Sequence, residues 1–342
     1  NGGSRLYISI DMLINDATSS QILWEEPVAL YRAQGDISAA GLEPFTLTFR
    51  DYVLARQDRQ GARLTHWQED RDYWLARLPS LPAAPQLPLQ SDRLMQTHPC
   101  FTRRQQTLSA EKWQTLRERA AKQGITPASL LIAAFSQVLA AWSREPQFCL
   151  NLTIFDRLGS HEDVQRMVGD FTAVTLLALD NPAQLSFAEQ AVRVNGEVLE
   201  SLQHRQFSAV DVLREWNRGR EQQSLVSMPV VFTSQLGVSD PTKGAAESPL
   251  GEIRYGLSQT PQVWLDHQAS EQEGALVYNW DMVDDLFLPG VAEAMFNAYA
   301  QLLEQLAGES LDWHAPLPAL LPADQLQVRQ QINATEQPLS EM

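Results

Sequence analysis

Only two cysteines, Cys100 and Cys149, occur in 342 residues. Two isolated cysteines supply neither a disulfide framework nor a zinc-binding set, so a reducing cytoplasmic setting is the default expectation. The six histidines are just as scattered. None stands beside another and none falls in HxxxH or HExxH spacing, which argues against a zinc site and against a resident metal. The sequence has no GxGxxG, no GxxxxGK[ST] and no GxSxG, so neither nucleotide binding nor a nucleophile elbow has support. Positive charge is also short. Lys and Arg total 26 against 42 Asp and Glu, a net charge of −16 with a pI near 4.8. That balance argues against a nucleic-acid backbone or an anionic membrane surface as partner. No apolar run approaches membrane-spanning length, and the first residues lack the basic-then-apolar pattern of a signal peptide.

What is present is ordinary globular material: 44% hydrophobic and 20% charged residues, in a length sufficient for two domains. The chain opens on Asn-Gly-Gly, an unusual start that suggests a cut from something longer. Arg5 to Ile10 alternates and predicts a strand. Ser19 to Tyr31 predicts a helix with a break or kink at Pro27. Phe49 to Leu78 reads as helix. Four prolines between Leu78 and Leu89 exclude helix and central strand and predict a stiff extended connector, with a lobe boundary just after it. Phe101–Leu108 predicts a strand and Ser109 a helix cap. Pro127 opens a very apolar helix through Trp142. Further strands are expected over 148–155, after Gly169, over 228–236, over 258–266 and over 275–280. Residues 156–168 read as a charged loop, and a Gly/Pro/Ser-rich loop runs on to about Leu250. Helices are expected over 186–202, 288–306 and 324–332. Strands and helices interleave throughout, so the class is α/β or α+β.

With histidines and phosphate loops set aside, carboxylates and hydroxyls remain: Asp11, Asp16, Asp170, Thr172, Thr233, Ser234, Asp266 and Asp281. Asp11 and Asp16 fall in Asp-Met-Leu-Ile-Asn-Asp-Ala-Thr-Ser19, where the expected strand hands over to a helix. One reading is capping by Asp16 or Thr18 and an Arg partner for Asp11. The other is chemistry at an exposed strand end. Thr233 follows Val-Val-Phe and Asp266 follows Val-Trp-Leu. A polar group in such a run must find a partner or cost a few kcal/mol, so each is a satisfied structural bond or a functional group.

These stretches resemble the heterocyclization domains of non-ribosomal peptide synthetases, in the condensation-domain superfamily, especially those of siderophore-type thiazoline synthetases. DMLINDATS (11–19) is similar to their DxxxxDxxS signature. LPSLPAAPQLPL (78–89), TPASLLIAAFSQVLAAWS (126–143), GDFTAVTLL (169–177), PVVFTSQLG (229–237), SQTPQVWLD (258–266) and the Trp280-Asp281 pair follow in the family's order. QQINATEQP (330–338) is similar to the link into an adenylation domain. Three departures accompany the match. The family's segments upstream of DxxxxD are absent, Pro27 interrupts a helix that the family continues, and Asp156 stands where Asn before Arg157 is usual.

The resemblance implies two chloramphenicol-acetyltransferase-like lobes in a V-shaped pseudo-dimer, the first incomplete. Residues 1–98 would be the C-terminal part of the first lobe, 99–322 the second, and 323–342 a linker toward the adenylation domain. It implies condensation of an upstream carrier-bound acyl thioester with carrier-bound Cys, Ser or Thr, followed by cyclodehydration to a thiazoline or oxazoline. The partners implied are upstream and downstream carrier proteins and a following adenylation domain. No cofactor is implied beyond their phosphopantetheine arms. By resemblance, Thr233 and Asp266 are the cyclodehydration pair. Asp11, Asp16, Ser19, Gln262, Asp170, Thr172, Ser234, Trp280 and Asp281 belong to supporting motifs. A carboxyl with its pKa raised by an apolar setting can both accept and return a proton. Two other classes compete: a degenerate carrier-docking module without catalysis, and a carboxylate-based hydrolase using Asp11 and Asp16 as an acid/base pair or metal clamp.

Overall fold

A computed structural model of the chain describes residues 4–58, 60–90, 99–157, 161–221, 225–237, 254–308 and 311–333. The loop expected up to Leu250 and the end of the QQINATEQP tail lie outside them. The helices are α1 (Ala17–Arg32), α2 (Phe49–Gln57), α3 (Ala62–Arg77), α4 (Ala110–Lys122), α5 (Pro127–Trp142), α6 (Asp163–Arg166), α7 (Phe187–Gln203), α8 (Ala209–Trp216), α9 (Val291–Ala307) and α10 (Ala323–Asn333). The strands are β1 (Phe101–Leu108), β2 (Gln147–Phe155), β3 (Thr172–Asp180), β4 (Val230–Ser234), β5 (Leu265–Gln272) and β6 (Ala275–Val283). They form one mixed sheet in the order β1-β6-β5-β4-β2-β3, parallel at β2–β4 and β4–β5 and antiparallel elsewhere. The α/β class expected from the sequence is the one observed. No single described helix is long and apolar enough to cross a membrane.

Period-two alternation gives the sheet two unlike faces. Phe232, His267 and Trp280 point to one side, where Phe135 of α5 and Tyr299 of α9 meet them in a cluster of rings. Thr126 caps α5 through the Ser129 N–H, Pro127 takes the first helical position, and nearly the whole helix is buried. The intervening residues point the other way: Asn151 and Thr153 on β2, Thr233 on β4, Asp266 and Gln268 on β5, Asn279 and Asp281 on β6, and Arg103 on β1. Toward β2 and β3 this second face is covered by Trp74 of α3 and by Phe207 and Val212 of the α8 region, which pack with Cys149 and Leu176. Around β4, β5 and β6 it stays polar. A two-residue turn, Glu273-Gly274, joins β5 to β6 with positive φ at both positions (50° and 81°), the geometry that suits the right-handed strand twist.

The structure departs from the local expectations in six places. Arg5–Ile10 forms no strand, because no other described segment pairs with it, and Leu6, Tyr7 and Ile8 are exposed. Helix α1 runs through Pro27 without a break. The carbonyl that loses its bond belongs to Leu23, which faces solvent, so water can take that place. The single helix expected over 49–78 is two, divided before Gly61, whose φ of 56° no helix accommodates. The proline connector contains one 3-10 turn, Leu78–Ser80. The rest is pinned rather than free, with Leu87 in the main core, Cys149 N–H donating to Ala83 O, and Gln86 N–H to Ser143 Oγ. Finally, the strand expected over 258–266 begins only at Leu265. Before it, Thr260-Pro261-Gln262-Val263 closes a turn with Val263 N–H on Thr260 O and Gln262 at φ 72°, a type II pattern with proline in its favoured place. The charged loop after Phe155 also contains the short helix α6.

Candidate functional site

Asp266 is the second residue of β5, between β4 and β6. Parallel pairing places Val231 beside it and Thr233 beside Gln268, while antiparallel pairing sets Asp281 directly across. The Thr233 hydroxyl donates to Asp266 Oδ1 at 3.4 Å, and a second hydroxyl, that of Thr153, lies 2.9 Å from Thr233 Oγ1. The first distance is long for an O–H···O bond. On the other side, Gln268 Nε2 donates to Asp266 Oδ2 at 2.7 Å.

Burial pushes the Asp266 carboxyl up to about 7. The Gln268 hydrogen bond opposes that rise, the charge of Asp281 adds to it, and Arg103 and the Thr233 hydroxyl pull it down. Both Asp266 and Thr233 nevertheless keep a little surface, 8% and 9%. Its neighbour in sequence, His267, points to the opposite face. There it stacks on Phe232 and meets the Tyr299 hydroxyl at 2.8 Å, and burial lowers it to about 3. It is a neutral core histidine.

Asp281 has a different fate. Arg103 grips both its oxygens, Nε to Oδ1 at 2.7 Å and Nη2 to Oδ2 at 2.6 Å, and the Ser258 N–H adds a third donor at 2.8 Å. It anchors the segment that leads into β5. Trp280, its neighbour, is a core residue on the helix-covered face. Gln262 is exposed in its turn and Ser234 Oγ accepts a long bond from Leu236 N–H. Neither reaches the Asp266 carboxyl among the described residues.

The DMLINDATS motif builds a second cluster. Asp16 caps α1 by accepting from Ser19 N–H at 2.7 Å and is sealed against Arg157, whose Nη2 and Nε reach its two oxygens at 2.6 and 3.1 Å. Ser19 Oγ accepts from Arg157 Nη2 and Gly169 N–H and donates to Gly169 O. Arg157 also donates to the carbonyls of Val164 and Met167 and lies over the Phe171 ring. Asp170 accepts from Thr172 N–H, and the Thr172 side-chain oxygen is buried without a hydrogen-bond partner among the described residues. The Arg pair expected for the motif therefore belongs to Asp16. Asp11 is the exception: exposed, it accepts from Leu13 N–H at the start of the 3-10 turn Met12–Ile14, with no arginine partner among the described residues. With Asp16 closed in and Asp11 outside, the two do not make an acid/base pair. β2 joins the two clusters, since Thr153 and Arg157 are four residues apart, on the order of 13 Å of strand.

Sequence reasoning missed Gln268, Arg103, Asn279 and Thr153. Each matters through strand register, which single-sequence patterns do not carry.

Comparison with known proteins agrees with this architecture. The family described as Condensation domain matches residues 2–317. Pyochelin synthetase PchF of Pseudomonas aeruginosa (strain UCBPP-PA14) is 41% identical over 310 residues, covering 90% of this chain and 16% of that protein. Phenyloxazoline synthase MbtB of Mycolicibacterium paratuberculosis (strain ATCC BAA-968 / K-10) is 37% identical over 339 residues, 99% of this chain and 28% of that protein. The chain thus spans less than a third of either relative. Among solved structures, the cyclization-docking bidomain of EpoB from Sorangium cellulosum superposes with a TM-score of 0.78 at 34% identity, covering 89% of this chain and 60% of that one. The non-ribosomal peptide synthetase FmoA3 gives a TM-score of 0.81 at 32% identity over 97% of this chain and 34% of that one. This chain belongs to the condensation-domain family.

Proposed function

We propose that the chain catalyses heterocyclization on carrier-bound substrates, joining an upstream acyl thioester to the amine of Cys, Ser or Thr and then closing the side chain onto the new amide. The observation that carries this reading is the Asp266 carboxyl, buried, raised to about 7 and touched by Thr233. The amide step needs little beyond positioning, because a free amine attacks a thioester readily. Ring closure needs a group that accepts and returns protons.

Each stage balances on one carboxyl. In the first, the thiol or hydroxyl forms its bond to the amide carbon and yields its proton to Asp266. Asp266 then returns that proton to the former carbonyl oxygen, giving a cyclic carbinolamine. In the second, the ring nitrogen gives up its N–H proton through Asp266 to the departing hydroxyl. Water leaves, and the C=N bond forms from the N–H electron pair. A carboxyl near neutrality holds both protonation states within reach at little cost, and Thr233 orients it.

The partners of this reading are the phosphopantetheine arms of an upstream and a downstream carrier protein, with an adenylation domain following. The likeness to PchF, MbtB and the EpoB cyclization domain supports it over a purely docking module. The test is to present the full-length protein with an acyl-loaded upstream carrier and a cysteinyl-, seryl- or threonyl-loaded downstream carrier. The expected product on the downstream carrier is one water lighter than the linear amide. Formation of neither amide nor heterocycle from any loaded pair would contradict the reading.

A further inference from the structure

Gln268 is the residue that the chemistry above leaves unused and the geometry does not. Its side-chain amide is held at both ends. Oε1 receives Nη2 of Arg103 and Nδ2 of Asn279, each at 3.4 Å, while Nε2 donates to Asp266 Oδ2 at 2.7 Å. Arginine can only donate, so the oxygen of the Gln268 amide must face Arg103 and the nitrogen must face Asp266. The bidentate grip of Asp281 fixes Arg103 in turn. Orientation is thus passed from β6 through β1 to β5.

A carboxyl oxygen that already accepts a short N–H bond is a poor place for a proton, since protonating it sets hydrogen against hydrogen. The other oxygen faces Thr233 Oγ1, which can donate to a carboxylate or accept from a carboxylic acid, with Thr153 Oγ1 at 2.9 Å able to reverse its own bond in step.

We propose that Gln268 is a positioning residue that reserves Oδ2 of Asp266 as a permanent acceptor and so confines the travelling proton to Oδ1, beside Thr233. The inference deepens the heterocyclization reading and rests on it. The charged groups facing Asp266 from the packed strands are Asp281 on β6 and Arg103 on β1, whose opposed effects accompany that of Gln268. β4 and β2 contribute the uncharged Thr233 and Thr153.

The test is the pH profile of ring closure in the full-length protein with loaded carriers, over about pH 5.5 to 9. Heterocycle is scored as a fraction of total acyl product in each sample, so that a general loss of activity cancels. In the first stage the carboxylate is the active form, so ring closure in the parent protein rises with pH through an acid limb near the Asp266 titration. Gln268→Met keeps the bulk and removes the donor. The acid limb is expected to move up by about one to two pH units, the weight of a hydrogen bond to a charged group. Gln268→Glu retains the shape, pairs with Arg103 and sets an acceptor against Oδ2, so it moves the limb the same way, and it carries the same test should the Met variant fold poorly. An acid limb unmoved in either folded variant, while Asp266→Asn stops ring closure, would overturn the role of Gln268 and leave the heterocyclization reading standing. Ring closure that persists in Asp266→Asn would instead overturn the proton relay through Asp266, and this inference with it, whereas a parent protein that makes no heterocycle from any loaded pair would overturn the heterocyclization reading itself.

Discussion

Asp266 and Asp281 sit directly across from each other on β5 and β6, yet only Asp281 has an arginine bound to both its oxygens. Two carboxylates on neighbouring strands of one face would repel if both were bare. The asymmetry assigns them different work: Asp281 is neutralised in an ion pair, and Asp266 is left to titrate near neutrality.

Removing the arginine tests that division. Arg103→Met leaves the Asp281 side chain, 0% exposed, without its cation. The expected loss is about 3–5 kcal/mol in urea denaturation, and the double variant Arg103→Met/Asp281→Asn should recover much of it, because the stranded charge is then gone. A single variant as stable as the parent would show that Asp281 is not held by this pair.

Stability should also depend on pH through Asp266. Its folded pKa, about 7, lies above the ordinary 3.8. Between these values the folded protein holds a proton that the unfolded chain has released. Stability from this group is therefore full below about pH 4 and is lost as pH rises through about 7. Asp266→Asn removes the titration, so the stability of the variant relative to the parent should grow across that window, by up to about 4 kcal/mol. Denaturation at pH 5 and pH 8 reads the difference. A gap that does not widen with pH would mean that Asp266 titrates in the ordinary carboxylate range.

The DMLINDATS carboxylates should behave unequally. Asp16→Ala strands the buried guanidinium of Arg157 and removes a helix cap, an expected cost of about 3–5 kcal/mol. Amide formation and ring closure should fall together as the melting temperature drops. Asp11→Ala removes one exposed cap from a three-residue turn, so about 1 kcal/mol or less and little activity should go. Loss of amide formation alone in a fully stable Asp16→Ala protein would point to direct catalysis there.

Much of this site was legible in the residues themselves. Val263-Trp264-Leu265 announced an apolar setting for Asp266, and Val230-Val231-Phe232 did so for Thr233. Asp16 and Thr18 both offered a cap, and Asp16 is the one that takes it. What could not be read was which strand lies beside which. Gln268 looks like any half-buried strand residue until register sets it against Asn279 and Arg103. Arg157 is one arginine in a charged loop until β2 delivers it to Asp16. Local rules also met tertiary context. Pro27 removes a helix bond whose acceptor belongs to the exposed Leu23, and the alternating Arg5–Ile10 segment lacks a described strand to pair with, because a strand is a property of two segments rather than one.

The most direct test of the account is the product made by Asp266→Asn. Asn keeps the shape of the carboxyl and can still meet Thr233 and Gln268, but it cannot take up and return a proton. In the full-length protein with loaded carriers, mass spectrometry of the downstream carrier should find the linear amide accumulating, one water heavier than the heterocycle of the parent protein. Thr233→Val should show a milder form of the same result, since only the orienting hydroxyl is lost. Heterocycle made by Asp266→Asn at the parent rate would contradict the proton-relay assignment. Loss of the linear amide as well would place Asp266 in substrate positioning instead.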